Sequence, residues 1–432
     1  MYRGITSCAL LILGFTVQAQ AKIITWKDNI PSSLQPFQNN AQQLANLAQD
    51  KIIIYAHPAV KTFVPTDSKN PNPTATFTSS AIVLPMSSAA VAKTLSQYDQ
   101  YVGLFPTLKS AKLLEKAGNI SQMKYKISIP TPIPVLNFNE DVIFQHQLGN
   151  NSLSSIVIDA PVPYGIGKFE WFSLGDNKTL VTLTQWSDLN QPKGFLFSQI
   201  LKAVPEAKLG IPGGTNAFIL ESLRKKVINL KTTTLNPGEV AQTQLNKAQL
   251  DKLVQVSRNS QQPVSFIHGL SSVPYQHGRE NLRFVTSYQY NPLNKQQLQK
   301  WLKPNAYQAI FPRQIKKINI TDESSTSQNT DIKVSVGLGV ITIPFDFKLN
   351  FKYPDASSNQ FHANGGDLKY VKGQMGLHSL SQGTLFQLTS AVKIDDQAPF
   401  LLRAVRSLPY HDLLPAVGAN HVFLLKVKNT KS

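Results

Sequence analysis

Tyr101-Val-Gly-Leu-Phe-Pro106 and Tyr307-Gln-Ala-Ile-Phe-Pro312 are one motif, Y-x-x-[LI]-F-P, written twice at an offset of 206 residues. The surroundings repeat with it. A strand-like run, Thr78 to Leu84, precedes an amphipathic stretch, Ser87 to Tyr98, ahead of the first motif. Leu282 to Tyr290 and Asn294 to Leu302 precede the second. Downstream, Gly167 matches Gly373, and Leu180 to Trp186 matches Leu385 to Val392. Gly213-Gly-Thr-Asn-Ala-Phe-Ile-Leu220 matches Val417-Gly-Ala-Asn-His-Val-Phe-Leu424 at an offset of 204. Upstream, short helical patterns open at Ala41 and Ala248, each followed by an apolar run ending in a histidine, His57 and His268. Self-similarity at a fixed period is the mark of duplicated structure.

Within each copy the order is strand, helix, several strands, final helix. Phe345, Phe347, Leu349, Phe351 and Tyr353 alternate on one face of a strand, the period of a half-buried antiparallel sheet. Leu136, Phe138, Val142 and Phe144 do the same in copy one. Leu220, Leu223, Val227 and Leu230 form a helical stripe, with Arg224, Lys225 and Lys226 outside it. Antiparallel strands closed by one amphipathic helix predict an α+β domain, a curved sheet wrapped around its C-terminal helix.

Residues 1–21 read as a leader. Arg3 is the positive end, Ile5 to Val17 the apolar stretch, and Ala19-Gln20-Ala21 the cleavage signature. The expectation is export to the periplasm with Lys22 as the new N-terminus. Cys8, the one cysteine, lies in that leader, so the remaining 411 residues offer no thiol, disulfide or cysteine metal site. At about 100–200 residues per domain, that length suits two units. The expected division is 22–230, a join at 231–239 marked by Thr232-Thr-Thr and Asn236-Pro-Gly, and 240–432. The 43 Lys and Arg against 25 Asp and Glu favour an anionic partner. Export argues against nucleic acid.

The pattern resembles the START-like, or helix-grip, superfamily, which includes polyketide cyclase/lipid transfer proteins and coenzyme Q-binding proteins. The residues that carry the resemblance are Tyr101 with Phe105-Pro106, the strands Val135 to Gln147 and Gly167 to Leu174, and Gly213-Gly214 before the helix Asn216 to Leu230, each with its partner in copy two. It covers about 78–230 and 282–430. It implies two tandem units, each a seven-stranded sheet gripping its last helix around a hydrophobic cavity. The implied ligands are lipids, sterols, quinones or polyketides; some members catalyse cyclisation. The second terminal helix has less room before Ser432.

No G-x-S-x-G, Walker-type or H-E-x-x-H signature occurs. Neither a catalytic residue, a metal nor a cofactor is assigned. Pro212-Gly213-Gly214-Thr215 reads as a tight turn ahead of the last helix. The candidate ligand-binding side chains are Leu136, Phe138, Glu140, Phe144, Phe169, Trp171, Trp186 and Leu220 in copy one, and Phe347, Phe351 and Met375 in copy two. Plain core is the competing reading for the aromatics. Glu140 falls by alternation on an apolar face, where a carboxylate would be desolvated, unless a bulge turns it outward. His57 and His268 read first as satisfied strand-end histidines. Lys109, Lys112 and Lys116 follow one Phe-Pro motif as Arg313, Lys316 and Lys317 follow the other, which suggests contact with anionic membrane headgroups or a merely solvated surface. Three functions are open: a binding or transfer protein for a hydrophobic small molecule or lipid, a cyclase or hydrolase using Glu140 and His146, and a non-catalytic envelope protein. If one copy binds, copy one is the choice.

Overall fold

The computed structural model describes residues 23–66, 68–129, 137–275, 278–338 and 341–430. Residues 1–21, the expected leader, and Leu136 lie outside them. Copy one runs α1 (Ala41–Ala48), β1 (Ile52–Ala56), a small hairpin of β2 (Val60–Lys61) and β3 (Thr74–Ala75), β4 (Thr78–Leu84), α2 (Ser88–Ser96) and α3 (Tyr101–Leu104). Then come β5 (Leu108–Ala117), β6 (Ile120–Ile129), β7 (Phe138–Gly149), β8 (Ser152–Asp159), β9 (Gly165–Ser173), β10 (Thr179–Ser187), α4 (Phe195–Ala203) and α5 (Ala207–Val227). Between the copies lies β11 (Thr233–Thr234), and copy two opens with α6 (Lys247–Ser260), β12 (Val264–Tyr275), β13 (Gly278–Asn291), α7 (Lys295–Leu298) and α8 (Tyr307–Ile310). It continues with β14 (Ile315–Glu323), β15 (Ser327–Leu338), β16 (Ile341–Asp355), β17 (Ser358–Gly366), β18 (Tyr370–Ser379), β19 (Thr384–Lys393), α9 (Phe400–Arg403) and α10 (Leu414–Asn429).

Each copy is an α+β helix-grip unit: an antiparallel sheet with its last helix on one face. The sheet order is β1-β4-β10-β9-β8-β7-β6-β5 in copy one and β12-β13-β19-β18-β17-β16-β15-β14 in copy two. That makes eight strands per copy, one more than the seven the resemblance implies. The extra strand is β1, just ahead of His57, and its counterpart β12, which contains His268 and runs on to Tyr275. β1 pairs antiparallel with β12, fusing the two sheets. Ile54 stands opposite Ser265, and the offset of 211 that matches His57 to His268 also matches these two residues. The duplicated strands therefore meet about a local two-fold. The join at 231–239 is tethered as well: Thr233 and Thr234 pair in parallel with Ser271 and Ser272.

Alternation sorts the sheet's two sides. Ile343, Leu349 and Phe351 are buried on the side of copy two that faces its helix, with Phe345, Phe347 and Tyr353 packed around them. The opposite side of copy one is crossed by residues 23–37. The Ile24 backbone exchanges hydrogen bonds with the Gln145 amide at 2.8 and 2.7 Å, and Ser33 N–H donates to Glu170 at 2.8 Å.

The terminal helices pack on the sheet and on each other. One asparagine pins each. Asn216 is fully buried; it accepts from Ser80 Oγ at 2.7 Å and donates to the carbonyls of Thr78 at 3.3 Å and Pro212 at 3.1 Å. Asn420 accepts from Ser390 Oγ at 2.6 Å and donates to Val285 and Leu388 carbonyls at 3.0 and 3.3 Å. Pro212-Gly213-Gly214-Thr215 is not a turn; it lies inside α5, which has 21 residues against 16 in α10. The reason is tertiary. A Cβ on Gly210 would stand 3.1 Å from Gly418 Cα, and one on Gly213 would stand 3.1 Å from the His421 ring. Two helices can cross this closely only where one presents bare backbone, and that contact outweighs the poor helix propensity of glycine and proline.

Gly210 and Gly214 should therefore respond in opposite ways. Gly210→Leu should lower unfolding stability by about 1–3 kcal/mol through overpacking. Gly214→Ala, where nothing lies within 4 Å of the new methyl, should be neutral or raise stability by up to about 1 kcal/mol through helix propensity. Urea denaturation of the two variants separates these outcomes.

Candidate functional site

α5 lies against β1, β4 and β10, and α10 against β13 and β19. Beneath α5 the space is filled. Ala217, Leu220 and Leu223 interlock with Ile54, Ile82, Val181 and Leu183, and Leu413, Ala416 and Val417 of copy two join the same cluster. A crevice of about 10 Å³ remains there, lined by Leu84, Val91, Leu95, Val181 and Leu223. That is scarcely room for one water. Leu220 and Trp171 are consequently core, at 0% and 2% exposure. Phe351 and Met375 are buried in the core of copy two. The pocket expected between sheet and helix is occupied by side chains over this half of the sheet.

The other half of copy one, the inner face of β6 to β9, is different. α2 closes one end, against β8 and β9. The rest carries half-buried Ile127, Phe144, Val157 and Phe169. In their midst stand buried Tyr125 and His146. Tyr125 Oη lies 2.9 Å from His146 Nε2, and His146 Nδ1 lies 2.8 Å from Ser155 Oγ. Tyr98, itself half-buried, stacks on the imidazole at a centroid distance of 4.6 Å, and Phe144 lies parallel to it at 6.0 Å. Tyr101, from the repeated motif, packs edge-on to Tyr98 and Phe105, and its hydroxyl donates to the Leu95 carbonyl at 2.6 Å. Burial holds His146 down to about 3, so the ring is neutral. Burial also raises Tyr98 to about 12.

Phe138, Glu140, Val142, Phe144 and His146 share this face, because the β6–β7 register runs unbroken from Ile120 to Ile129. No bulge in that pairing turns Glu140 outward. Glu140 is half-exposed rather than desolvated. Six residues of strand separate it from His146, about 20 Å, so the two cannot serve one reacting centre. Trp186 is not brought to the site. It pairs with Ile166 and packs with Trp26, Ile156 and Phe77 on the opposite face. Trp186 is three residues from Leu183, and an odd spacing changes face.

Copy two builds the corresponding floor from Ile318, Val334, Phe345 and Phe347, all half-buried. Its polar pair is Tyr353, donating to Gln328 at 2.7 Å, without a histidine. The basic clusters lie on edge strands: Lys109, Lys112 and Lys116 on β5, Lys316 and Lys317 on β14, with Arg313 just before it, all exposed. Both edges also carry two register shifts, between Leu108/Ser110 and Leu113/Glu115, and between Ile315/Lys317 and Ile320/Asp322. Lysines and bulges together prevent a free edge from pairing with another chain.

His57 and His268 each anchor a hydroxyl ladder across three strands. His57 Nε2 lies 2.7 Å from Ser79 Oγ, which lies 2.6 Å from Thr184. His268 Nε2 lies 2.9 Å from Thr286, which lies 2.9 Å from Thr389. Sequence reading names His57, His268 and His146 but misses the hydroxyl ladders and the Tyr98, Tyr125 and Ser155 partners of His146. Its one available signal was an imidazole at an inward-facing position of β7. Among the described residues, no group of three His, Cys, Asp or Glu is placed to hold a metal. No described helix is long and apolar enough to cross a membrane.

No family profile and no curated protein matches the chain. Among solved structures, the di-domain ARO/CYC StfQ of the steffimycin pathway is 9% identical over 81% of this chain and 97% of its own, with a TM-score of 0.24. The di-domain ARO/CYC BexL of the BE-7585A pathway is 10% identical over 82% and 99%, with a TM-score of 0.26. A STAR-related lipid transfer protein fragment from Xanthomonas axonopodis is 15% identical over 35% and 85%, at 0.26. The fold assignment rests on the strand order and helix placement described above.

Buried neutral histidines make the fold acid-sensitive. Burial lowers His57 and His421 to about 4, and His146 and His268 to about 3. Unfolded, each titrates near 6.5. Below that value the unfolded chain binds more protons than the folded one, so stability is complete above about pH 6.5. It falls as pH drops toward 4 and 3, by up to about 1.4 kcal/mol per pH unit for each histidine. Urea midpoints should decline steadily from pH 7 to pH 5; equal midpoints across that range would contradict the assignment.

Proposed function

We propose that this chain is an exported carrier or receptor for a hydrophobic small molecule or lipid, held in copy one on the open floor of β6 to β9. One observation carries the reading: half-buried Phe144, Phe169 and Ile127 surround a hydrogen-bonded imidazole on the half of the sheet away from β1, β4 and β10, where the terminal helix packs. Mostly apolar walls with a few placed polar groups are the composition of a small-molecule site. Apolar contact supplies affinity, and the hydroxyl–imidazole pair supplies orientation. The wide separation of Glu140 and His146 speaks against acid–base catalysis by that pair. Export rests on Arg3, the apolar stretch and Ala19-Gln20-Ala21.

Two measurements check this. Native mass spectrometry of protein recovered from the periplasmic fraction should show a polypeptide beginning at Lys22 with a hydrophobic adduct. Phe144→Asp places a carboxylate on the floor and should weaken binding of a naphthalene-based fluorescent probe roughly ten- to a hundredfold, with an unchanged circular dichroism spectrum. An adduct-free protein whose probe affinity is the same in the variant sinks the proposal.

A further inference from the structure

The hydrogen-bond chain on the floor has a direction, and the direction selects a ligand. Tyr125 is buried and its hydroxyl touches His146 Nε2. Since a buried hydroxyl hydrogen needs an acceptor, Tyr125 donates to Nε2. A neutral imidazole has one N–H; with Nε2 accepting, that hydrogen sits on Nδ1 and is donated to Ser155 Oγ, 2.8 Å away. Ser155 Oγ is thereby an acceptor, and its own hydrogen is the end of the chain. Ser155 is the half-buried member of the three, and among the described residues its hydroxyl has no other hydrogen-bond partner. Its register neighbour on β9 is Gly167, which puts no side chain beside the hydroxyl.

We propose that Ser155 donates the hydrogen bond that recognises the ligand, and that the ligand is a hydrophobic molecule bearing an uncharged carbonyl. Each donor in the chain polarises the next, so Ser155 is a better donor than an isolated serine. The groups in the chain are uncharged, so they suit a neutral acceptor rather than an ionised carboxylate, which would need a paired cation in so apolar a place. This inference rests on the floor being the binding site.

The test uses an acylnaphthalene and the alkylnaphthalene of the same chain length, titrated by fluorescence into the mature protein. The wild type should bind the ketone roughly three- to tenfold more tightly, the range of one net hydrogen bond. Ser155→Ala should bring that ratio to one, and Ser155→Thr, which keeps the hydroxyl, should retain it. Equal binding of both probes by the wild type, or a preference that survives in Ser155→Ala, overturns the proposal. If neither probe binds, the site itself is wrong and both readings fall. The ring of His146 gives a check that needs no ligand: ¹⁵N chemical shifts should place the proton on Nδ1, and a proton on Nε2 reverses the chain and removes the free donor.

Discussion

The pairing of β1 with β12 is the constraint on which the rest of the molecule depends. An eight-stranded open sheet has two edges, and each edge offers unpaired N–H and C=O groups to any passing strand. Here two of the four edges consume each other. The contact is isologous, the geometry of a symmetric dimer, but both halves belong to one chain. The local two-fold at Ile54 and Ser265 also places α1 and α6 side by side over the join, where Leu44, Leu47, Leu253 and Val256 bury Ile53, Tyr55 and Phe266. The same symmetry sends the start of each terminal helix toward the opposite copy. Leu413, Ala416 and Val417 enter the core of copy one, and Glu206, ahead of α5, binds Lys426 and Gln314 of copy two. The remaining edges, β5 and β14, are the ones that carry lysines and paired bulges.

A permanent dimer inside one chain lets its halves diverge, because neither half must be self-complementary. The divergence is visible on both faces. The outer face of copy one has Ile156, Ile166 and Trp186, covered by the segment containing Trp26 and Ile30. The outer face of copy two has exposed Lys348 and Lys352 and half-buried Asn350 and His362, polar side chains where copy one has apolar ones. On the inner face, copy one has Tyr98, Tyr125 and His146, where copy two has phenylalanines and a Tyr353–Gln328 pair. The choice of copy one thus rests on different residues from those that sequence pattern singles out. Glu140 lies toward the open end, and the imidazole at the centre is what distinguishes the copies.

Period and offset were legible in the sequence because they are local or self-referential. Phe345 to Tyr353 alternates on the face that alternation assigns it, and the repeated Tyr101 and Tyr307 occupy buried positions after equivalent helices. Strand counting fails at β1 because five apolar residues in a row, Ile52 to Ala56, have no period and declare no partner. Pro212-Gly213-Gly214 read as a turn because local propensity favours one; only the approach of Gly418 and His421, some two hundred residues away, makes it helix. Trp186 was misplaced by reading aromatic character without counting parity from Leu183. The shared asparagine of the two terminal segments, Asn216 and Asn420, stood in plain view at an offset of 204. A polar residue repeated amid apolar ones at the same helical position is the signature of a buried polar clamp, and that signature is readable from sequence alone.

A buried charge cluster at the junction shows what keeps the two copies in one register. Glu221 and Arg224 of α5 and Arg283 of β13 are all fully or almost fully buried. Both guanidiniums converge on Glu221 Oε2, at 2.5 and 2.8 Å. Arg224 also donates to the carbonyls of Ile267 and His268 at 3.3 and 3.2 Å. The β12–β13 register shifts between Ile267 and Leu270, so these carbonyls sit where the ladder is interrupted, and the arginine supplies the donors that the interruption removes. Such a cluster is poor evidence of added stability, since an apolar replacement of equal volume would serve as well. What it provides is discrimination. A slip of one residue in β12 would turn His268 and its hydroxyl ladder to the wrong face and carry the two carbonyls away from Arg224. It would leave the buried Arg224 without these two acceptors, while Arg283 would keep Glu221 at 2.8 Å and Asp412 at 3.9 Å. The alignment that brings both guanidiniums to Glu221 and carries Arg224 to the interrupted ladder also brings Gly210 against Gly418 where α5 crosses α10.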